Sequence, residues 1–229
     1  MNRTVVITGA AGALGRVVAR HFLDQGARLV LLDRELALLQ SAFADLDGAA
    51  GHRLLAADVT NEDVMTQVLA RVGDIDVLVH AAGGFTMGES VAELSRATWE
   101  HMLALNAWSF VAAARAVVPG MVERGQGRII AVSARAAAQG AAGMAAYVAA
   151  KSALQRLVET LSAEVREQGI AVNSIAPSII DTAANRQDMP DADPARWVAP
   201  VTLAETIGFL ASEAGGAIHG QHLVVSGLS

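Results

Sequence analysis

The sequence predicts an α/β fold, a single doubly wound parallel sheet of about seven strands flanked by helices on both faces. Short β-branched runs alternate with longer Ala-rich stretches along the chain, and this alternation is typical of repeated strand–helix–strand units. Hydrophobic residues make up 53% of the sequence and charged residues only 17%, which favours strands buried on both faces. The length of 229 residues suits one domain spanning residues 1–229.

The predicted strands are the β-branched runs Thr4–Thr8, Arg28–Leu32, Arg53–Ala57, Val77–His80, Arg128–Val132, Ala171–Ile175 and His222–Val225. The stretches between them carry apolar residues at helical spacing and predict helices at Leu14–Gln25, Glu35–Asp45, Glu62–Arg71, Thr98–Arg124, Ala145–Gln168 and Ala204–Glu213. The polar, proline-bearing stretch Asp181–Pro200 breaks this pattern. Because it exceeds the ~12–15 residues of most connections, we expect a loop over a site, with room for a short helix; an ordinary surface loop is the alternative.

Composition and charge exclude several classes of function. The net charge is −6 and no run of basic residues occurs, which argues against a nucleic-acid partner. The apolar stretches are interrupted before the ~20 residues of a membrane span, and the N-terminal residues lack a signal-peptide pattern. The sequence has no cysteine, and His219 and His222 lack a neighbour that suggests a metal site. We therefore expect a cytoplasmic protein with no metal, no membrane and no nucleic-acid partner.

Candidate nucleotide-binding residues follow the first two predicted strands, because ligands of open α/β sheets bind outside the carboxyl ends of the strands. Gly9, Gly12 and Gly15 are spaced for a tight turn, a close backbone approach to a diphosphate and helix–strand packing, although a plain strand–helix turn also uses glycines. Asp33 can accept hydrogen bonds from an adenosine ribose and would repel a 2′-phosphate, whereas Arg34 can bind that phosphate. Asp33 weighs more heavily, which favours NAD(H) over NADP(H).

Further candidates follow the third and fourth strands. Asp58 can accept a hydrogen bond from an adenine amino group, or it can belong to the cap of the next helix. The small residues Ala81, Ala82 and Gly83 let a cofactor lie against the backbone. His80 reads equally well as a core or turn histidine, and we assign it no catalytic role.

Tyr147 and Lys151 are the only tyrosine and the only lysine of the chain. Their spacing of four residues places them on one face of a predicted helix. A phenol titrates at about 10, and a nearby cation lowers that pKa, so the pair can act as a proton donor and acceptor. The alternative is an ordinary helix pair, with a half-buried tyrosine and a solvated lysine.

Over essentially its full length the chain resembles the short-chain dehydrogenase/reductase family. The residues that carry the resemblance are Thr8–Gly15, Asp33, Asp58, Val59, Ala81–Gly83, Asn106, Tyr147–Lys151, Asn173, Pro177 and Thr182. The resemblance implies a Rossmann-type fold and an oxidoreductase that transfers hydride with a nicotinamide cofactor. It implies that Tyr147 is the general acid and base, that Lys151 holds the nicotinamide ribose and lowers the pKa of Tyr147, and that Asn106 supports a proton relay through water.

The same resemblance implies a set of binding residues. The cofactor would contact Gly9, Gly12, Leu14, Gly15, Asp33, Arg34, Asp58, Val59, Ala81, Ala82, Gly83, Tyr147, Lys151, Pro177, Ile180 and Thr182. The small-molecule substrate would lie among Phe85, Met144 and Trp197. The two aromatic rings either stack on a flat ligand or simply pack in the core and in the predicted loop Asp181–Pro200, which we call the lid. The family also implies a homodimer or homotetramer through the helices Thr98–Arg124 and Ala145–Gln168.

One departure from the family pattern leaves the function open. The family usually carries a catalytic Ser 13 residues before the Tyr, where this chain has Ala134. The neighbouring Ser133 is expected to face away, because successive strand residues point to opposite faces. Losing one oxyanion donor typically costs ~10²–10³ in rate. A narrower likeness to dihydropteridine reductases, in Gly12–Gly15, Ala82–Phe85, Gly143-Met144 and Asp181–Trp197, would explain the loss through an electrophilic, pterin-like quinonoid substrate; the alternative is a non-catalytic NAD-binding sensor or partner-binding protein.

Overall fold

In the computed structural model, which describes residues 3–229, the strands pair into one parallel sheet. They are β1 (Thr4–Thr8), β2 (Arg28–Asp33), β3 (Arg53–Ala56), β4 (Val77–His80), β5 (Gly127–Val132), β6 (Ile170–Pro177) and β7 (His222–Val225). Their order across the sheet is β3-β2-β1-β4-β5-β6-β7. The order reverses between β1 and β4, and such a reversal opens a crevice at the carboxyl edge of the sheet. The predicted fold class is confirmed.

The helices connect successive strands. They are α1 (Ala13–Asp24), α2 (Leu36–Ala42), α3 (Glu62–Leu69), α4 (Arg96–Leu103), α5 (Ser109–Arg124), α6 (Ala145–Val165), α7 (Ala183–Asp188) and α8 (Pro200–Leu210). Between α4 and α5 the chain forms a π-helical segment, Ala104–Trp108, which we call the π turn. The helix α8 begins four residues before its predicted start, because Pro200 occupies a first-turn position where its missing N–H is tolerated. The predicted loop Asp181–Pro200 contains α7 and a short 3₁₀ helix, Pro194–Arg196.

Alternate residues of the central strands build two cores. Val5, Ile7 and Leu29 face the layer that contains α1 and α8. Val6 and Val30 face the opposite layer, formed by α3, α5 and α6. Since side chains alternate between the two faces of a strand and both faces are covered, these strands read as nearly continuous apolar runs.

The continuous helical stretch Arg96–Arg124 is apolar enough, and long enough, to cross a membrane by length and composition alone. It is the one such stretch in the part of the chain that the structure describes, and half of its apolar window is buried inside the protein. Its α5 portion packs on α3 and its π turn packs on α6. A core helix passes the same composition test, so this stretch is weak grounds for a membrane span.

Candidate active site

The glycine turn after β1 is closed by backbone contacts that leave no room for side chains. Gly9 has a φ of 67°, and a methyl group on it would lie 2.8 Å from the Cα atom of Ala82. A methyl group on Gly15 would overlap the carbonyl oxygen of Gly9. Gly12 is the N-cap residue of α1 and supplies no capping side chain. The turn therefore presents backbone N–H groups at a helix N-terminus, as a diphosphate requires.

The carboxylate of Asp33 stabilises this turn through hydrogen bonds to the backbone. Its Oδ2 accepts a hydrogen bond from the backbone N–H of Ala11 at 3.0 Å, and its Oδ1 accepts one from the N–H of Arg34 at 2.8 Å. The guanidinium of Arg34 is 80% exposed and lies 3.4 Å from the carboxylate of Glu35. Asp33 therefore holds the end of β2 against the glycine turn, a structural role that its position in the sequence does not reveal.

Asp58 is exposed at the end of the third strand segment, and Val59 beside it is buried. Its Oδ1 accepts hydrogen bonds from the hydroxyl and the backbone N–H of Thr60, and these bonds lower the pKa of Asp58. The capping alternative for Asp58 is wrong, because Asn61 is the N-cap of α3 and accepts from the N–H groups of Asp63 and Val64 at 3.1 Å.

Three segments converge on Gly83, just beyond β4. A methyl group on Gly83 would lie 2.8 Å from Asn106 Oδ1 and 3.1 Å from Lys151 Nζ. Asn106 lies fully buried in the π turn, where its Oδ1 accepts from the N–H of Gly84 at 3.1 Å and its Nδ2 donates to the carbonyl oxygen of Met102 at 3.2 Å. The predicted cofactor-binding residue Gly83 therefore meets two of the predicted catalytic residues in one small space.

Tyr147 lies in the first turn of α6, half-buried, with its ring edge-to-face against Phe85 at a centroid distance of 4.9 Å. The prediction that Lys151 lowers the pKa of Tyr147 is wrong in this structure, because burial raises that pKa to about 12. The solvated-lysine alternative is also wrong. Lys151 is 5% exposed, its Nζ donates to the carbonyl oxygen of Val132 at 2.8 Å, and burial lowers its own pKa to about 8.

The structure shows where the hydroxyl next to the missing serine points. Ser133 is buried, and its Oγ donates to the backbone carbonyl oxygen of Lys151 at 3.4 Å. Its hydroxyl therefore faces the backbone of α6. Ala134 follows in an extended conformation and is also buried, so the position of the usual family serine carries no hydrogen-bond donor.

The residues predicted to line the substrate pocket differ in exposure. Phe85 is 58% exposed beside Tyr147, and Met144 borders a narrow crevice at the start of α6. Trp197 is only 8% exposed, and a methyl group on Gly227 would contact its backbone. The burial of Trp197 favours packing at the base of the lid over stacking on a ligand.

The lid that follows β6 is held by its own polar contacts. Ile180 pairs with Val198 in an isolated parallel bridge. Thr182 is the N-cap of α7 and accepts from the N–H of Asn185 at 3.1 Å. Arg186 donates twice to the carboxylate of Asp181, at 2.6 and 2.8 Å. Pro177 is the last residue of β6, and Ile180 and Thr182 lie just beyond its carboxyl end.

The sequence gives no signal for the π turn or for the hydrogen-bond partners of His222. Nothing in the spacing of apolar residues separates the π turn from an ordinary helix. The hydrogen-bond partners of His222 are also distant in sequence. Its Nε2 bonds to the carboxylate of Glu159 at 2.9 Å, and its Nδ1 bonds to the hydroxyl of Ser174 at 2.6 Å. This group contains one histidine and one carboxylate, and it lies among β6, β7 and α6.

Comparison with known proteins identifies the family. The family model described as "short chain dehydrogenase" matches residues 3–193. The chain belongs to the short-chain dehydrogenase/reductase family. It is 33% identical to a cis-4-hydroxycyclohexanecarboxylate dehydrogenase of Sinomonas cyclohexanicum, over 99% of this chain and 96% of that protein. It is 32% identical to the (2S)-[(R)-hydroxy(phenyl)methyl]succinyl-CoA dehydrogenase subunit BbsD of Thauera aromatica, with the same coverage.

A solved structure agrees with this assignment. The 3-oxoacyl-[acyl-carrier protein] reductase from Brucella melitensis with bound NAD superposes with a TM-score of 0.87 at 29% identity, over 98% of this chain and 90% of that one. The protein is therefore an oxidoreductase of the short-chain dehydrogenase/reductase family with an NAD(P)-binding Rossmann fold. The predicted family is confirmed.

Proposed function

We propose that this protein is an NADH-preferring reductase of a carbonyl, imine or quinonoid bond, with Tyr147 as the general acid and base. One observation carries the proposal. Asn106 and Lys151 both lie against Gly83, and the ring of Tyr147 packs on Phe85, in the segment that follows β4 beside the point where the strand order reverses. An open α/β sheet binds its dinucleotide at that point.

The side chains and backbone of this edge fit a nicotinamide dinucleotide. Gly12 places no side chain at the N-cap of α1, and Gly83 lets Asn106 and Lys151 approach the backbone so closely that a methyl group would meet both. When bound, the nicotinamide supplies or accepts the hydride. The residues that would hold it are Gly9, Gly12, Leu14, Gly15, Asp33, Asp58, Val59, Ala81, Ala82, Gly83, Lys151, Pro177, Ile180 and Thr182.

Asp33 supports the preference for NADH over NADPH. Its carboxylate is fixed at the end of β2 by the N–H groups of Ala11 and Arg34. A fixed negative charge there accepts hydrogen bonds from ribose hydroxyls and repels a 2′-phosphate. Arg34 could favour the phosphate, but its guanidinium lies beside the carboxylate of Glu35 in solvent.

The protonation states suit a reductase. With a pKa of about 12, Tyr147 keeps its proton at neutral pH and is ready to donate it to a developing alkoxide. Lys151, with a pKa of about 8, is mostly a cation at pH 7 and would hold the nicotinamide ribose through its ammonium group. The buried Asn106 amide fixes the loop around Gly84 and would support return of a proton from water.

The alanine at position 134 narrows the substrate class. Without a hydroxyl donor there, the substrate oxygen or nitrogen has one hydrogen bond fewer, so a substrate that is already electrophilic is favoured. The exposed ring of Phe85 next to Tyr147 offers an apolar face to a flat conjugated ring. We therefore infer a quinonoid, diketone or pterin-like substrate ahead of a simple ketone.

Exposed aromatic side chains support the proposed assembly. Trp99 on α4 and Trp108 in the π turn are 38% and 44% exposed on the Arg96–Arg124 stretch. Large apolar side chains on the outer face of a helix are typical of a protein–protein interface. We propose a cytoplasmic homodimer or homotetramer formed through this stretch and α6.

The test is NADH oxidation by the purified protein with a panel of quinones, diketones, simple ketones and a quinonoid dihydropterin, repeated with NADPH. Turnover of an electrophilic substrate, with NADH preferred, would support the proposal. A non-catalytic NAD sensor, the alternative that Ala134 favours, would enhance NADH fluorescence and turn over no compound of the panel. A preference for NADPH would contradict the role of Asp33.

A further inference from the structure

His80, the last residue of β4, is fully buried, and the mechanism above does not use it. Its Nδ1 lies 3.0 Å from the hydroxyl oxygen of Thr8 at the end of β1. Its Nε2 lies 3.0 Å from the hydroxyl oxygen of Ser109 at the start of α5. The imidazole therefore links the end of β1, which is followed by the glycine turn, to the start of α5, which follows the π turn.

The partners of the two hydroxyls determine which ring nitrogen carries the proton. Ser109 donates its one hydroxyl proton to the carbonyl oxygen of Leu105 at 2.6 Å, so it can only accept from His80 Nε2. Thr8 accepts from the backbone N–H of Ala82 at 3.3 Å and has its own proton left for His80 Nδ1. The hydrogen bonds thus run in one direction, from the N–H of Ala82 to the carbonyl oxygen of Leu105.

A neutral imidazole is the side chain that this arrangement requires. It donates from one ring nitrogen and accepts at the other, on opposite sides of a rigid ring. Burial, and to a lesser degree the charge of Lys151, lower the pKa of His80 to about 3, so the ring stays neutral at physiological pH. The edge of the ring also packs against Phe110 at a centroid distance of 5.8 Å.

Ser109 connects the imidazole to the π turn. Its backbone N–H donates to the carbonyl oxygen of Ala104, five residues earlier, and its hydroxyl donates to that of Leu105, four residues earlier. Asn106 lies between these contacts and accepts from the N–H of Gly84. The chain of hydrogen bonds therefore ends in the two segments that position Asn106. Ala82 lies in the same loop as Gly84, which Asn106 contacts, and Leu105 precedes Asn106 in the π turn.

We propose that His80 and Ser109 are positioning residues of the active site, which hold the π turn so that Asn106 stays against the loop around Gly83. The catalytic consequence rests on the proposed reductase function. Loss of the bond between the two side chains would let the π turn shift relative to β4. A misplacement on the order of 1 Å at a catalytic site can cost about 10²-fold in rate.

The activity test compares Ser109→Ala with a matched control, Ser162→Ala. Both serines are buried in helices, but Ser162 lies on α6 against Gly220, away from the site. We expect Ser109→Ala to lower kcat about 10–100-fold with KM for NADH changed less than about 2-fold, Ser109→Thr to restore most of kcat, and Ser162→Ala to leave kcat unchanged. If Ser109→Ala only lowers the melting temperature and keeps wild-type kcat, the serine is merely structural and the proposal is wrong.

A second readout does not depend on turnover. Ring ¹⁵N chemical shifts of His80, assigned against His80→Gln, should show the neutral Nε2–H form at pH 7 and pH 5. The side-chain amide resonances of Asn106 should shift in Ser109→Ala and stay in place in Ser162→Ala. An Nδ1–H or doubly protonated ring, or unmoved Asn106 resonances, would overturn the proposal. A wild-type protein that turns over no substrate would contradict the proposed function alone, because these spectra still decide the positioning role.

Discussion

The ammonium nitrogen of Lys151 donates a hydrogen bond to the carbonyl oxygen of Val132, the last residue of β5, at 2.8 Å. This bond fastens α6 to the carboxyl edge of the sheet and places a cation next to Gly83. The cation is buried, and a buried charge costs the fold free energy that one hydrogen bond only partly offsets. The same burial lowers the pKa of Lys151 to about 8.

Replacing Lys151 with methionine should therefore stabilise the protein while it removes activity. The folded-state pKa of about 8 lies below the reference value of 10.5, so between those pH values the unfolded chain binds more protons and the wild-type protein gains stability as pH rises. At pH 7 the full penalty is present. We expect Lys151→Met to raise the free energy of unfolding at pH 7 by about 1–3 kcal/mol.

Urea unfolding at pH 7 and pH 10 measures this difference. The advantage of Lys151→Met should shrink between the two pH values, because the wild-type lysine loses its proton in that interval. An advantage of the same size at both pH values would show that the ammonium is not the destabilising group. A loss of stability at pH 7 would show that its hydrogen bond to Val132 outweighs its desolvation.

The second prediction concerns the proton donor. Tyr147→Phe removes one oxygen and keeps the ring that packs on Phe85, so folding and NADH binding should change little. Turnover of the best substrate should fall by about 10²–10⁴, which is the usual contribution of a general acid. Steady-state kinetics and NADH fluorescence titration measure both quantities. Wild-type turnover in this variant would assign the proton donor to another group.

The third prediction tests the crowding at Gly83. A methyl group there would lie 2.8 Å from Asn106 Oδ1 and 3.1 Å from Lys151 Nζ, so both side chains must move. We expect Gly83→Ala to lower kcat/KM about 10–100-fold. Gly140→Ala is the matched control, because a methyl group at Gly140 meets no atom within 4 Å. Equal kinetics for both variants would show that the space at Gly83 is not needed by the reacting groups.

Local patterns predicted the strands and the glycine turn because those features depend on neighbours in sequence. The positive φ of 67° at Gly9 and the contacts of Gly15 with Gly9 and Ala10 are local requirements, and short β-branched runs leave few alternatives to a buried parallel sheet. The alternation with helices predicts a parallel sheet, but it does not fix the order of the strands, which the structure shows. The predicted fold class was therefore accessible without coordinates.

The sign of the pKa shift at Tyr147 was not accessible in the same way. A spacing of four residues places Tyr147 and Lys151 on one helix face but does not say how deep that face is buried. Depth decides the outcome here, since burial raises one pKa and lowers the other. The bond of Ser109 to His80 joins residues 29 positions apart in sequence, and only the packing of α5 on β4 brings them together.

The last prediction concerns the missing serine. If residue 134 faces the reacting group, Ala134→Ser adds a hydroxyl donor where the family usually has one, and reduction of simple ketones should rise by about 10-fold or more, within the ~10²–10³ that one such donor supplies. An electrophilic quinonoid substrate should gain much less, because its ground state is already activated. The ratio of kcat/KM values for the two substrates is the measurement.

Ser133→Ala is the control for that experiment. The Ser133 hydroxyl reaches only the backbone carbonyl oxygen of Lys151, at a long 3.4 Å, so its loss should change stability by no more than about 1 kcal/mol and leave kcat intact. A fall in kcat for Ser133→Ala, together with no gain for Ala134→Ser, would mean that the end of β5 presents Ser133 to the substrate. The substrate class inferred from Ala134 would then lose its physical basis, because the oxyanion donor would be present after all.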